Sequence, residues 1–129
     1  MSSLKSWGNY PYIKPKISQF DAEKKEYNFC QNTIPYGNGR SYGDSCLSEN
    51  IIHVKSHNRF LSFDQNSGVL KVQAGILLEE VIDVCLPKGW FLKVVPGTKL
   101  ITVAGAIASD IHGKNHHIDG CFSEAVNYF

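Results

Sequence analysis

The sequence predicts an α+β domain built on a small mixed sheet with flanking helices. Three observations predict it. Short runs rich in β-branched and aromatic residues stop at turn residues, as strands do. One stretch, Leu77–Gly89, switches to helical period. Two glycine-rich segments between these elements fit neither period.

The elements follow in chain order. Residues 1–20 carry Pro11, Pro15, Trp7, Tyr10 and Tyr12, a composition that predicts an extended lead-in. Asp21–Gln31 is polar with a few apolar positions, and it predicts two helical turns capped by Asp21, with Glu23, Lys24, Lys25 and Glu26 as a solvated face. "TIPYG" enters the first glycine-rich stretch as a short strand. Asn50–Val54 and Phe60–Asp64 are β-prone, with His53 and His57 lacking an evident partner, and Asn66–Gly68 is a turn signal. Val69–Gly75 alternates apolar and polar residues, so one face of that strand is wet. Leu77, Leu78, Val81, Ile82, Cys85 and Leu86 recur at helical spacing until Pro87 and Gly89 end the helix. Phe91–Val95 predicts another strand, with Trp90 packing in the core beside Phe91. Thr102–Ser109 is small and apolar and predicts a short helix.

Bulk properties exclude several classes. A length of 129 residues fits one domain of ordinary size, and 43% hydrophobic content is enough for a real core. A net charge of +1 and no basic run disfavour a nucleic-acid partner. No transmembrane segment is expected, because no apolar run approaches the ~18 residues a membrane helix needs. The N-terminal residues lack an apolar signal core, and Cys30, Cys46, Cys85 and Cys121 form no CxxC pair, so the reading is a cytoplasmic protein with reduced thiols.

The first glycine-rich segment is "YGNGRSYGDS", Tyr36–Ser45. It lacks the Gly-Lys-Ser/Thr of a P-loop. Gly37, Gly39 and Gly43 miss the dinucleotide fingerprint by one residue, and no periodic helix follows. Two readings stay open. In one, it is a plain surface turn. In the other, successive amides form an anion-binding nest, with φ > 0 at the glycines, hydroxyls from Ser41 and Ser45, and Arg40 as the cation. The second segment, Val95–Asn115, adds a Pro96-Gly97-Thr98 turn and small residues at a helix start, where exposed amides would suit a ligand.

These two motifs, "GNGRSYGDS" and "PGTKLITVAGAIASDIHGKNHH", with the Val72–Val81 strand and helix between them, resemble the FAD-linked oxidases of the vanillyl-alcohol oxidase type. Within that family the likeness is to the branch that works with a reductase to epimerise a lipid-linked sugar. The resemblance covers roughly Ile34 to Phe129. It implies a PCMH-type FAD-binding fold, of which residues 1–129 are the N-terminal part, with the substrate domain and its catalytic residues outside the chain.

The family's pattern further implies that Pro35, Tyr36, Gly37, Asn38, Gly39, Arg40, Ser41, Tyr42, Gly43, Asp44 and Ser45 lie along FAD. Gly97, Thr102, Val103, Ala104, Gly105, Ser109, Asp110, Ile111 and His112 would line its other side, with Lys114, Asn115 and His116 toward the substrate. Many relatives bond FAD through a histidine in the first loop. Arg40 stands at that place here, and a guanidinium is no nucleophile toward the flavin, so non-covalent FAD is expected. The implied reaction is oxidation of a secondary alcohol of a sugar or polyol, free or lipid-linked, with a reductase as partner.

"SDIHGKNHHIDG" also reads as a metal candidate, since His112 and His116 are four apart and Asp110 and His117 are close by. Gly113 and Asn115 disfavour a helix between those two histidines. The alternatives carried forward are therefore a metal-dependent hydrolase using Asp110, His112, His116 and His117, and a vestigial nucleotide-binding module without catalysis.

Overall fold

The structure, a computed structural model, describes residues 4–24 and 26–129. The chain forms two compact units, Met1–His57 and Asn58–Phe129.

The first unit is a three-stranded parallel sheet of β1 (Lys16–Gln19), β2 (Thr33–Tyr36) and β3 (Asn50–His53), in the order β1-β3-β2. Register places Ile17 and Ile34 on either side of Ile51. The central strand has the sequence to be covered on both faces, and Ile51 and Ile52 are buried. Pro35 is tolerated because β2 is an edge strand, where a missing N–H costs no ladder bond. Tyr36, Cys46, Leu47 and Ile51 form the core, flanked by Leu4, Ile13 and Ile34. Part of the extended lead-in is thus an edge strand, β1.

The helix expected over Asp21–Gln31 is not formed among the described residues, and Lys25 lies outside them. Asp21 instead accepts the Glu23 amide at 3.0 Å in a side-chain-closed turn. The rings of Phe20, Tyr27 and Phe29 stack in series. The segment has no apolar stripe wide enough to anchor a helix, whereas its aromatic rings find one another. His53 and His57 do have partners: His53 stacks on Tyr36 and His57 meets the edge of Phe20.

The second unit opens with an antiparallel hairpin, β4 (Phe60–Asp64) and β5 (Val69–Val72). Parallel and antiparallel pairing therefore both occur, in separate sheets. Asp64 organises the turn, accepting from the Asn66 amide and the Ser67 hydroxyl, and those bonds hold its carboxyl below the usual range. Gly68 closes the turn at φ 72°.

Helix α1 (Leu78–Cys85) buries Leu78, Val81 and Cys85. The Glu80 carboxylate accepts the Leu77 amide at 2.8 Å, half of a capping box. A single 3-10 turn, Leu86–Lys88, ends at Gly89 with φ 80°, as Pro87 and Gly89 foretell. Helix α2 (Val103–Ala108) and the single-turn helix α3 (His116–Asp119) complete the set with a 3-10 turn at Phe122–Ala125.

The expected strand at Phe91–Val95 is absent among the described residues. Val94 is fully buried against Leu78, Ala106 and Phe122, but this backbone packs without a strand partner, and Asn115 takes the Lys93 carbonyl. Trp90 packs against the Ile76, Val81 and Cys85 core as expected, whereas Phe91 is exposed. All four cysteines are free thiols.

Candidate functional site

The glycine-rich loop is the crossover from β2 to its parallel neighbour β3, and it leaves the carboxyl end of β2. Ligands of open parallel sheets bind outside carboxyl strand ends. Parallel neighbours need a long connection, usually helical; here it is loop, so its backbone groups are not spent on a helix ladder.

Tyr36 anchors the loop. Its hydroxyl donates to the Lys5 carbonyl at 2.7 Å and accepts from the Lys5 amide at 3.3 Å. Burial pushes the phenol pKa up. Gly39 and Gly43 take left-handed φ of 62° and 57°, as the nest reading requires; Gly37 is not among the positive-φ glycines. A Cβ on Gly39 would overlap the Lys5 carbonyl oxygen and the Tyr36 hydroxyl, whereas one on Gly43 would meet open space. Among the described residues, the amides of Gly39, Arg40 and Gly43 have no protein acceptor. Arg40 lies over the Trp7 ring, 5.6 Å from its centroid, and its Nε is buried without a hydrogen-bond partner.

Cys46 is buried behind the loop, and desolvation raises its thiol, which suits packing and not nucleophilic chemistry. The Tyr42 side chain is 81% exposed. Lys55, two residues past β3, donates to Asn38 Oδ1 at 3.2 Å. Sequence reasoning passed over it; its position just beyond a parallel strand was the available signal.

In the second unit, Thr102 is the buried N-cap of α2, and its Oγ1 accepts the Gly105 amide at 3.1 Å. The Val103 amide donates to Ile76 O and the Ala104 amide to Ala74 O. The first-turn amides are therefore used internally, and the expectation that they stand open to a ligand is corrected. The small residues serve close packing, with Ala106 fully buried. Gly97, Gly105, Ser109 and His112 keep an exposed edge, as do Lys114 and His116. Asp110 takes φ 40°, left-handed for a non-glycine, and its carboxylate accepts the Ser123 amide at 2.9 Å. Gly113 has no room for a side chain: a Cβ would lie 2.6 Å from Asn115 Oδ1 and 2.8 Å from Val95 O. Asn115 donates to Lys93 O and to Asp119.

The rings of His112 and His116 are 5.4 Å apart at 70°, and His116 meets His117 edge-on. His116 Nδ1 lies 3.1 Å from the Gly113 carbonyl. Asp110 is turned to Ser123, and among the described residues no three His, Cys, Asp or Glu side chains converge as a metal set. The hydrolase alternative has no assembled site among the described residues.

The first loop carries donors of the kind an anion needs. Unpaired amides, two left-handed glycines and a buried, unpartnered guanidinium nitrogen are the donor set an anion needs. Comparison with known proteins gives the family. The chain is 41% identical over 98 residues to the decaprenylphosphoryl-beta-D-ribose oxidase of Mycolicibacterium smegmatis, which covers 74% of this chain and 21% of that protein. It is 32% identical over 79 residues to a putative D-arabinono-1,4-lactone oxidase of Neurospora crassa, covering 60% of this chain and 14% of that protein. An alkyldihydroxyacetonephosphate synthase structure shares the fold, with TM-score 0.59 at 21% identity over 72% of this chain and 19% of that one. The chain thus spans about a fifth of the length of such relatives. Residues 25–129 match the family described as FAD binding domain, and by that match the chain belongs to the FAD-binding domain family of the FAD-linked oxidases.

Proposed function

We propose that this chain holds FAD non-covalently for an oxidoreductase that oxidises a secondary alcohol of a sugar or polyol. The observation that carries the reading is the Tyr36–Ser45 loop, whose Arg40 Nε is buried with no protein acceptor. Bound FAD would supply two-electron redox chemistry by accepting a hydride. The chain's own part is to bind and orient. Gly39 and Gly43 take the left-handed conformation an anion nest uses, and Arg40 adds the positive charge a pyrophosphate requires. Arginine at that place offers no nucleophile for a flavin bond.

The sugar or polyol class is supported by the names of two relatives, a ribose oxidase and an arabinonolactone oxidase. Lys114, His112 and His116 belong on the substrate or flavin side of this reading, being exposed, whereas the Asn115 amide group is held by Lys93 and Asp119. In this reading the proton-accepting base lies outside these 129 residues, and a reductase is a separate partner. Among the described residues, no helix is long and apolar enough to cross a membrane.

Acid precipitation of the FAD-loaded protein tests the cofactor bond. All flavin should leave with the supernatant as intact FAD; flavin retained on the polypeptide overturns the non-covalent assignment. In the full-length protein, turnover of polyols but of no α-hydroxy acid is expected, and the reverse preference would sink the substrate class.

A further inference from the structure

We propose that the segment Leu4–Tyr12, which lies before the matched residues 25–129, is a working part of the cofactor site. In this proposal Trp7 is a positioning residue that aims Arg40 at the FAD pyrophosphate. The inference rests on the FAD reading above.

The segment brackets the glycine turn at both ends. Lys5 holds the Tyr36 hydroxyl with both its amide and its carbonyl, which fixes the residue where β2 becomes loop. The Trp7 amide donates to the Ser41 carbonyl at 3.1 Å, which fixes the residue after Arg40. Between those two ties, the Lys5 carbonyl packs so closely on Gly39 that no side chain fits there. Ser6, 3% exposed, bonds the Tyr10 carbonyl at 3.2 Å and turns the segment back on itself.

Arg40 lies in this bracket with its guanidinium over the Trp7 ring at 5.6 Å, within cation–π range. Its Nε is buried and unpaired. A donor held out of water with no acceptor is unfavourable unless a ligand supplies one. An indole face stabilises the cation without taking any of its N–H groups, so those donors stay free for phosphate oxygens. A carboxylate in the same place would neutralise the charge and occupy the fork. The arrangement holds the guanidinium in place before the ligand arrives, which lowers the ordering cost of binding.

The test is an affinity series on the intact apo-protein, titrated with FAD and, separately, with ADP, which carries the same diphosphate without the flavin. Trp7→Ala should weaken both ligands by about 5-fold, the size of a half-exposed cation–π contact. Trp7→Phe should restore most of that loss, and Phe29→Ala, on an exposed ring outside the segment, should change nothing. In the Arg40→Ala background, Trp7→Ala should have no further effect, because Trp7 acts through Arg40. Full additivity of the two substitutions, or unchanged ADP and FAD affinity in Trp7→Ala, overturns the inference while leaving the FAD reading intact. A wild-type protein that binds neither ligand overturns both.

Discussion

Replacing Gly39 and Gly43 by alanine, one at a time, separates two physical effects in the same loop. Both glycines have φ near 60°. A side chain on a left-handed residue costs about 1 kcal/mol, so this strain is common to both variants. Only Gly39 faces a second obstacle. Its new Cβ would overlap the Lys5 carbonyl and the Tyr36 hydroxyl and would sit 3.0 Å from Tyr36 Cζ. Relief must come from Tyr36, which is packed with Cys46, Leu47 and Ile51, or from the Lys5 backbone. Overpacking of that kind costs about 1–3 kcal/mol. The paired Lys5–Tyr36 hydrogen bonds add about 1 kcal/mol more as they are stretched. Gly39→Ala should therefore cost about 3–5 kcal/mol and Gly43→Ala about 1 kcal/mol. Urea unfolding of the apo-protein by far-UV circular dichroism, with equal m-values as the control, measures the difference. Equal costs at the two positions would refute the reasoning, because the strain would then be the whole effect and the packed contact worth nothing.

Three further outcomes follow from the second unit. Gly68→Ala combines φ 72° with a Cβ 2.6 Å from Trp90 Cε3 and Cη2, so it should cost about 2–4 kcal/mol and shift tryptophan emission. Thr102→Ala should cost about 1–2 kcal/mol by thermal denaturation through loss of the α2 cap, whereas Thr102→Ser, which keeps the hydroxyl, should stay near wild type. Asp64 has a depressed carboxyl, so its contribution is present above the unfolded value and is lost as pH falls through the folded one. In acid titrations from about pH 4 to pH 2, wild type should lose stability faster than Asp64→Asn; parallel curves would show that the turn bonds do not bias the proton.

What could be read in advance depended on whether a signal was local. The α1 helix was legible because apolar spacing and Pro87-Gly89 both sit within the segment. The turn at Asn66–Gly68, which closes the β4–β5 hairpin, was legible from its residues. Val94 was correctly apolar, yet its backbone has no strand partner, and pairing is a property of two segments at once. Asp21–Gln31 failed for a different reason: polar composition with a cap is compatible with a helix, but nothing there provides an apolar face to hold one. The glycine positions of the first loop were visible as candidates. That Gly39 is fixed by Lys5, thirty-odd residues away, was not, because no periodicity reports a long-range steric contact. At α2 the small residues were seen, while the partners of their amides, Ala74 and Ile76, lie on another element and reversed the reading.

The strand order of the first unit sets a timetable for its manufacture. β3 is the last of the three strands to leave the ribosome and the only one that touches both others. β1 and β2 cannot pair with each other in the native arrangement, so neither has a template until His53 has emerged. The glycine loop must also be closed before β3 can align with β2, an entropic step that precedes any reward from pairing. The nascent chain therefore carries its glycine-rich loop unclosed until β3 has emerged, and the three strands can pair only once that four-residue strand is available.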